Sequence, residues 1–389
     1  MADYISSNAN RFYAAIESIY GQAAAITDAN RFPAVRLEGQ QVLQHGKRLD
    51  KTGTRTSLGM SKDARRQTAF ETRTYLTSWN GVGEPSYGPL FHAALGATPQ
   101  LSTGLKVAAV ESSTEIQTTT DHGLSVGSAV SYGNEIRFVT GVPSSSTIAI
   151  NAPFTNAPTT NAPLAPTTTY ALATTLPSAT LYDYWDPATA VDRIITGSGV
   201  DTFEVSVNGD YHEFAFKGPA ADLIDSSSFV TGMGGLTKFP AEPTLSQFDY
   251  SIVPGHLGEL WLGSTASQFF TLTEATIELK NNLYLRNQEF GSSYPRALAP
   301  GPRQVTSTFT VFAQDDDQTV ALYTAAKQRS LISAMLQLGQ QQGRLMGIFL
   351  PEITPEIPIY NDSETRLRWE FKNNLAQGVS NDEIYVAFA

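Results

Sequence analysis

Phe203-Glu-Val-Ser-Val-Asn-Gly-Asp-Tyr-His-Glu-Phe-Ala-Phe216 decides the fold class. Phe203, Val205 and Val207 share one face of an extended chain, because successive side chains of a strand point to opposite sides. Asn208-Gly209 follows, and then the alternation returns from Tyr211 to Phe216. Asn-Gly between two alternating runs is the strongest short-range hairpin signal, since both central residues of the tight turn need positive φ. Outward from this hairpin the same period-2 pattern recurs. Thr271–Lys280 and Arg303–Phe312 read as long strands, and Ala69–Trp79 sets Phe70, Thr72, Thr74 and Leu76 against Glu71, Arg73, Tyr75 and Thr77. Further strands are expected near 331–338, 344–350, 365–373 and 383–388, the first two closing around Gln341-Gln-Gly343. The fold class expected is mainly β, a sandwich or barrel.

Helical signals are few. Pro89 to Gly96 has proline at the start and glycine at the end, the usual asymmetry of a short helix. Asp315-Asp-Asp-Gln318 offers N-caps to one packed helix through about Gln328, with Val320, Tyr323 and Lys327 on one face. A cap needs one of the three aspartates and solvation accounts for the others, so no metal site is read there. The apolar stretch within residues 10–27 fits either a strand or a short helix.

The middle of the chain changes character. Leu105–Val110, Glu115–Thr118, Ala129–Tyr132, Ile136–Val139 and Thr147–Ile150 read as five short strands. Asn151-Ala-Pro153, Asn156-Ala-Pro158 and Asn161-Ala-Pro163 then recur every five residues, a proline spacing that blocks helix and central strand alike. Residues 101–175 are therefore read as a small β domain inserted at the surface of a main domain formed by 1–100 and 176–389.

Composition points to assembly and away from chemistry. Charged residues are 16% of the chain against about 25% in an average soluble protein, while 20 Phe and 16 Tyr supply a sizeable core. The absence of cysteine excludes disulfides and thiolate metal sites. No run of eighteen apolar residues occurs and the start lacks a leader pattern, so a soluble, non-secreted chain is expected. The net charge of −11 is uneven: Gln41–Arg73 carries +5, leaving −16 elsewhere. Its basic residues Lys47, Arg48, Lys51, Arg55, Lys62, Arg65 and Arg66 lie in residues 41–66, read as a long polar loop or arm. Such an arm suits nucleic acid or an acidic surface of an identical copy; a solvated loop is the plainer reading.

No phosphate loop, nucleophile elbow or zinc motif occurs. His45, His92, His122, His212 and His256 have no ligand spacing, and Asp183-Tyr-Trp-Asp186 reads as a junction cluster. No catalytic residue, cofactor or metal is expected.

In their order, several stretches resemble the tail tube, or major tail, proteins of long-tailed bacteriophages. They are Arg48-Leu-Asp-Lys-Thr-Gly-Thr-Arg55, Tyr87-Gly-Pro-Leu-Phe-His-Ala-Ala-Leu-Gly96 and Ala275-Thr-Ile-Glu-Leu-Lys-Asn-Asn-Leu283. Pro302-Arg-Gln-Val-Thr-Ser-Thr-Phe-Thr-Val311, the helix after it and Gly347-Ile-Phe-Leu-Pro351 continue the series. His122-Gly-Leu-Ser-Val-Gly127 is similar to small β domains of phage structural proteins. The resemblance implies a virion protein built in the host cytoplasm, in which homo-hexameric rings stack into a tube that conducts double-stranded DNA. It implies tail terminator, tape-measure and distal tail proteins as partners, and no catalytic residues. A tail terminator, a capsid decoration protein and a carbohydrate-binding tail protein are the alternatives. On this reading Glu274 and Glu278 line an acidic lumen, the basic arm bridges subunits or rings, and the projecting insertion makes the tail non-contractile.

Overall fold

Thr202–Val207 pairs antiparallel with His212–Ala220, and Val207 stands opposite His212 across the expected turn, where Gly209 has φ +89°. This hairpin lies inside one broad sheet. The structure, a computed structural model, describes residues 4–44, 50–56, 59, 64–79, 83–187, 189–207, 209–244, 250–263, 267–363 and 365–389. The sheet runs through Ser267–Phe269, Gly258–Gly263, Ile332–Leu338, Met346–Thr354, Arg368–Ala376, Gln304–Phe312, Leu272–Lys280, Thr202–Val207, His212–Ala220, Arg65–Tyr75 and Arg36–Gln44. A branch adds Tyr385–Phe388, then Thr167–Tyr170, then Gln100–Ser102. The chain is mainly β, with several sheets and two α-helices among the described residues.

A second sheet, in the order Asp222–Asp225, Arg193–Ser198, Ala179–Trp185, Asn10–Ile16, Arg31–Phe32, packs on the first. The stretch that fitted strand or helix is a strand, with Asn10 opposite Trp185 and Ile16 opposite Ala179. The two layers meet closely at Gly39, where a Cβ would lie 2.7 Å from Ile195 Cδ1, so the hydrogen side chain is what lets the sheets approach.

The short helix read at Pro89–Gly96 and the helix read after Asp315 are the two α-helices among the described residues, and both pack on the core. The short one, α1 (Gly88–Leu95), is the more deeply buried, with Leu90, Phe91, Ala93, Ala94 and Leu95 all sealed from solvent. Eight residues are too few for a stable isolated helix; packing sustains this one. The Phe91 ring lies 5.0–5.5 Å from Phe203, Phe214, Phe216 and Phe388, in a cage of edge-to-face contacts. The second helix, α2 (Asp317–Gln328), begins at Asp316, whose side chain accepts a hydrogen bond from Thr319 N at 2.7 Å. Its inward face is Thr319, Leu322 and Ala326, and Val320 is exposed. The sequence reading grouped Val320, Tyr323 and Lys327, a stripe rotated away from the one that packs.

The five strands of the insertion form their own sheet, in the order Val107–Ser112, Glu115–Thr118, Thr147–Ile150, Glu135–Ser144, Ala129–Tyr132. Its edges differ from the expected 101–175. Ser102 pairs with Thr167, and both belong to strands of the broad sheet, so the excursion runs from 103 to 166. The Asn-Ala-Pro stretch is not a free linker: Phe154 and Leu164 are buried in the core of the small sheet beside Ile116, Val139 and Ile148. The segment forms no regular strand but bridges to the sheet at Pro163, opposite Lys106, and at Ala165, opposite Ser131, while its apolar side chains cover the sheet.

Candidate assembly surfaces

The solvent face of the broad sheet is built from rungs of directly opposed residues. One rung reads Glu38, Glu71, Lys217, Thr202, Lys280, Gln304 across six strands. The next reads Arg36, Arg73, Ala215, Glu204, Glu278, Thr306. A third reads Glu213, Ser206, Thr276, Thr308, and a fourth Glu274, Thr310, Glu370. Ala275, Ile277 and Leu279 are buried on the other side, so Glu274 and Glu278 do share the outward face.

That face is mixed in sign, its four rungs holding seven glutamates, two arginines and two lysines. Charges neutralise along and diagonally across strands: Lys280 Nζ is 2.8 Å from Glu278, Arg36 is 3.0 Å from Glu38, and Arg73 reaches both Glu71 (3.0 Å) and Glu213 (3.4 Å). The Glu71 hydrogen bond and the nearby carboxylates raise the Arg73 guanidinium above its ordinary value. These side chains are largely solvated, so each pair contributes at most about 1 kcal/mol. Their consequence is a strongly polar surface on which Arg36, Arg73 and Lys280 are each paired with glutamate.

The basic arm is shorter than residues 41–66. Arg36–Gln44 and Arg65–Tyr75 pair without interruption from Arg36 opposite Arg73 to Gln44 opposite Arg65. Polar side chains concealed this strand pairing, because both faces carry glutamine and arginine at its outer end. Arg66 is held within the chain: Nη1 lies 3.2 Å from Asp222 Oδ1 and the guanidinium sits over the Tyr294 ring. Asp222 is buried, and burial pushes its carboxyl above the ordinary range, opposed by Gln41 and Arg66. Arg65 donates to Gln288 O at 3.3 Å, whereas Lys51 and Arg55 are exposed. Lys47, Arg48 and Lys62 fall outside the described residues.

Sequence reasoning missed the residue that fixes the insertion in place. Arg137, on the insertion strand Glu135–Ser144, is fully buried, its Nη2 2.6 Å from Glu135 and 3.7 Å from Glu259 of the broad sheet. It also donates to Gln337 Oε1 (3.2 Å) and Pro153 O (3.0 Å), between the rings of Trp261 and Phe154. Burial lowers the guanidinium from its ordinary value, and the two glutamates oppose that shift. Around it Ile136, Phe138, Met335, Phe349 and Tyr385 form a shared apolar cluster, with Phe138 stacked on Phe349. The signal available in sequence was a lone arginine inside an apolar strand, in Glu135-Ile-Arg-Phe-Val139.

His122, His212 and His256 have structural settings, and His45 falls outside the described residues. His122 is satisfied at both ring nitrogens, by Leu124 N and Ser144 O. His212 and His256 converge on one cavity of about 300 Å³, and His212 Nε2 lies 3.1 Å from Leu257 O. No group of three or more metal-ligating side chains occurs among the described residues. Asp183 is buried and ion-paired with Arg193 at 2.6 Å, and Tyr184 donates to Pro240 O. These contacts account for the aromatic–acidic cluster. Among the described residues no helix is long and apolar enough to cross a membrane. No protein-family model matches the chain, and no curated protein matches it.

Proposed function

We propose that this chain is the structural subunit of a bacteriophage tail tube, forming stacked hexameric rings through which double-stranded DNA passes. The observation that carries the reading is the broad sheet itself. Its outer strands among the described residues are Arg36–Gln44 and Ser267–Phe269, and a polar face runs from Arg36–Gln44 across to Arg368–Ala376. Edge strands invite sheet continuation by another chain, and a head-to-tail contact between unlike surfaces generates rings or filaments.

The face with Glu274 and Glu278 lines the bore on this reading. Duplex DNA binds tightly where cations neutralise several phosphates and release their counterions. A wall on which Arg36, Arg73 and Lys280 are already paired with glutamates offers few such contacts, and the duplex slides. The glutamates left in excess keep the wall acidic, as the sequence reading expects of a lumen. The insertion, clamped at Arg137, stands on the outer side of the ring and leaves no room for a close-fitting sheath.

Electron microscopy of the purified protein tests the proposal. Rings of six or hollow tubes are expected at high protein concentration. A protein that stays monomeric at all concentrations refutes it.

A further inference from the structure

At the edge of the second sheet, between Asp222–Asp225 and the loop 232–235, lies a cavity of about 410 Å³. Thr196 and Asp222 stand directly opposite each other on adjacent strands, so their side chains leave the same face. The other face, through Ile195 and Leu223, meets the broad sheet at Gly39. Glycine shapes the covering loop: Gly232, Gly234 and Gly235 take positive φ, and at Gly234 a Cβ would lie 2.8 Å from Ile224 Cδ1. Gly234 O accepts from Ala23 N at 2.8 Å, which ties the loop to the segment that carries Tyr20. Tyr20, Thr196, Asp222, Met233 and Tyr294 line the cavity. Asp222 is held by Gln41 (2.7 Å) and Arg66 (3.2 Å), and the Arg66 guanidinium lies over the Tyr294 ring. Two hydroxyls are left. Thr196 is 1% exposed, and neither Thr196 Oγ1 nor the buried Tyr20 Oη has a hydrogen-bond partner among the described residues.

We propose that this cavity binds a neutral polyhydroxylated ring of hexopyranose size, whose hydroxyls pair with Tyr20 Oη, Thr196 Oγ1 and the Asp222 carboxylate. Three observations carry the assignment. Unpartnered buried hydroxyls are costly, and a ligand that satisfies them recovers that cost on binding. Each protein hydroxyl can donate and accept while the carboxylate accepts, and sugar hydroxyls do both, so the two sets match. Charge excludes the ionic alternatives: among the described residues Asp222 is the one charged side chain of the lining, and Arg66 already neutralises it. An anion would meet the carboxylate, and a cation would have to displace the arginine. Tyr20 and Tyr294 add ring surface for the apolar C–H faces of the ligand, and the volume lies within the usual range of small-molecule sites. The site belongs to the second sheet and stands or falls independently of the tube reading.

Saturation-transfer NMR on the full chain, with calorimetric titration for affinity, tests the proposal. The probes are D-glucose, D-galactose, D-mannose and N-acetyl-D-glucosamine, each also as its methyl glycoside. Millimolar or tighter binding of at least one is expected, with slower amide exchange in 232–236. Glycosides that bind as well as the free sugar make the end of a glycan the source, and binding of the free sugar alone makes it a monosaccharide. Tyr20→Phe with Thr196→Val removes both hydroxyls and nearly keeps the side-chain shapes. Because neither hydroxyl has a partner within the described residues, the urea midpoint should not fall. Sugar affinity should drop about tenfold or more for the two lost hydrogen bonds. Tyr20→Phe alone is the milder change and should show part of that loss. If no sugar of the panel binds the parent protein, the cavity takes ordered water only and the proposal is overturned. Sugar binding that the double variant leaves unchanged lies elsewhere and overturns it equally.

Discussion

Glu278 stands directly opposite Glu204 on adjacent antiparallel strands, two carboxylates facing the same solvent. Like charges in directly opposed positions destabilise a sheet by tenths of a kcal/mol. Lys280 relieves Glu278 from its own strand, and Ser206 donates to Glu204 at 3.2 Å. Glu204→Thr should therefore raise stability by about 0.5 kcal/mol through lost repulsion and better strand propensity. The urea midpoint measures it. A gain that does not shrink in high salt would show that charge is not the cause.

Arg137→Met leaves Glu135 and Glu259 in an apolar pocket without their cation. Breaking a buried pair from one side costs about 3–5 kcal/mol. The insertion should loosen first, seen as faster amide exchange in 129–150 than in 202–216. Equal loss of protection in both regions would mean that the insertion and the broad sheet melt as one unit.

Removing the insertion has a defined boundary, because Ser102 and Thr167 are directly paired. Deleting 103–166 and joining the ends with Asn-Gly makes a two-residue hairpin and keeps Tyr170, which packs against Phe91 and Phe388. A longer deletion that includes 167–170 should fail to fold. The shorter one uncovers Trp261, Met335, Phe349 and Tyr385, so polar replacements at two of these are needed for solubility. It should then assemble with an unchanged bore and a smaller outer diameter. A folded truncation that never assembles would place the insertion in the wall between subunits.

Burial depresses the His212 imidazole below its ordinary 6.5, against its contact with Leu257 O. The folded state thus binds fewer protons than the unfolded chain on the acid side of 6.5. This stability contribution is fully present above 6.5 and is lost as pH falls towards the folded value. His212→Gln should flatten the fall in urea midpoint between pH 6.5 and 5. An identical slope in both proteins would assign that pH dependence to other groups.

Reversing Arg48 and Arg55 to Glu tests the basic arm. Sedimentation should show a folded monomer with self-association abolished, and normal filaments would exclude the arm from the contact.

Period-2 alternation was enough to determine the mainly β class, the central hairpin and the five insertion strands, because burial on one face alone imposes that pattern on the residues themselves. Asp316 as an N-cap and Gly96 as a helix stop were legible for the same reason: their chemistry is local. Other features depend on residues distant in the chain. The pairing of Ser102 with Thr167, which moves the insertion boundary, follows from a strand adding to the far side of the molecule. Strand order alone opposes Glu278 to Glu204. Arg137 is matched by Glu259 and Trp261, more than a hundred residues away, which only the fold brings to it. A sequence states what each residue prefers to face, and only the tertiary structure supplies what it faces, because burial and charge pairing are properties of neighbours brought together by the fold.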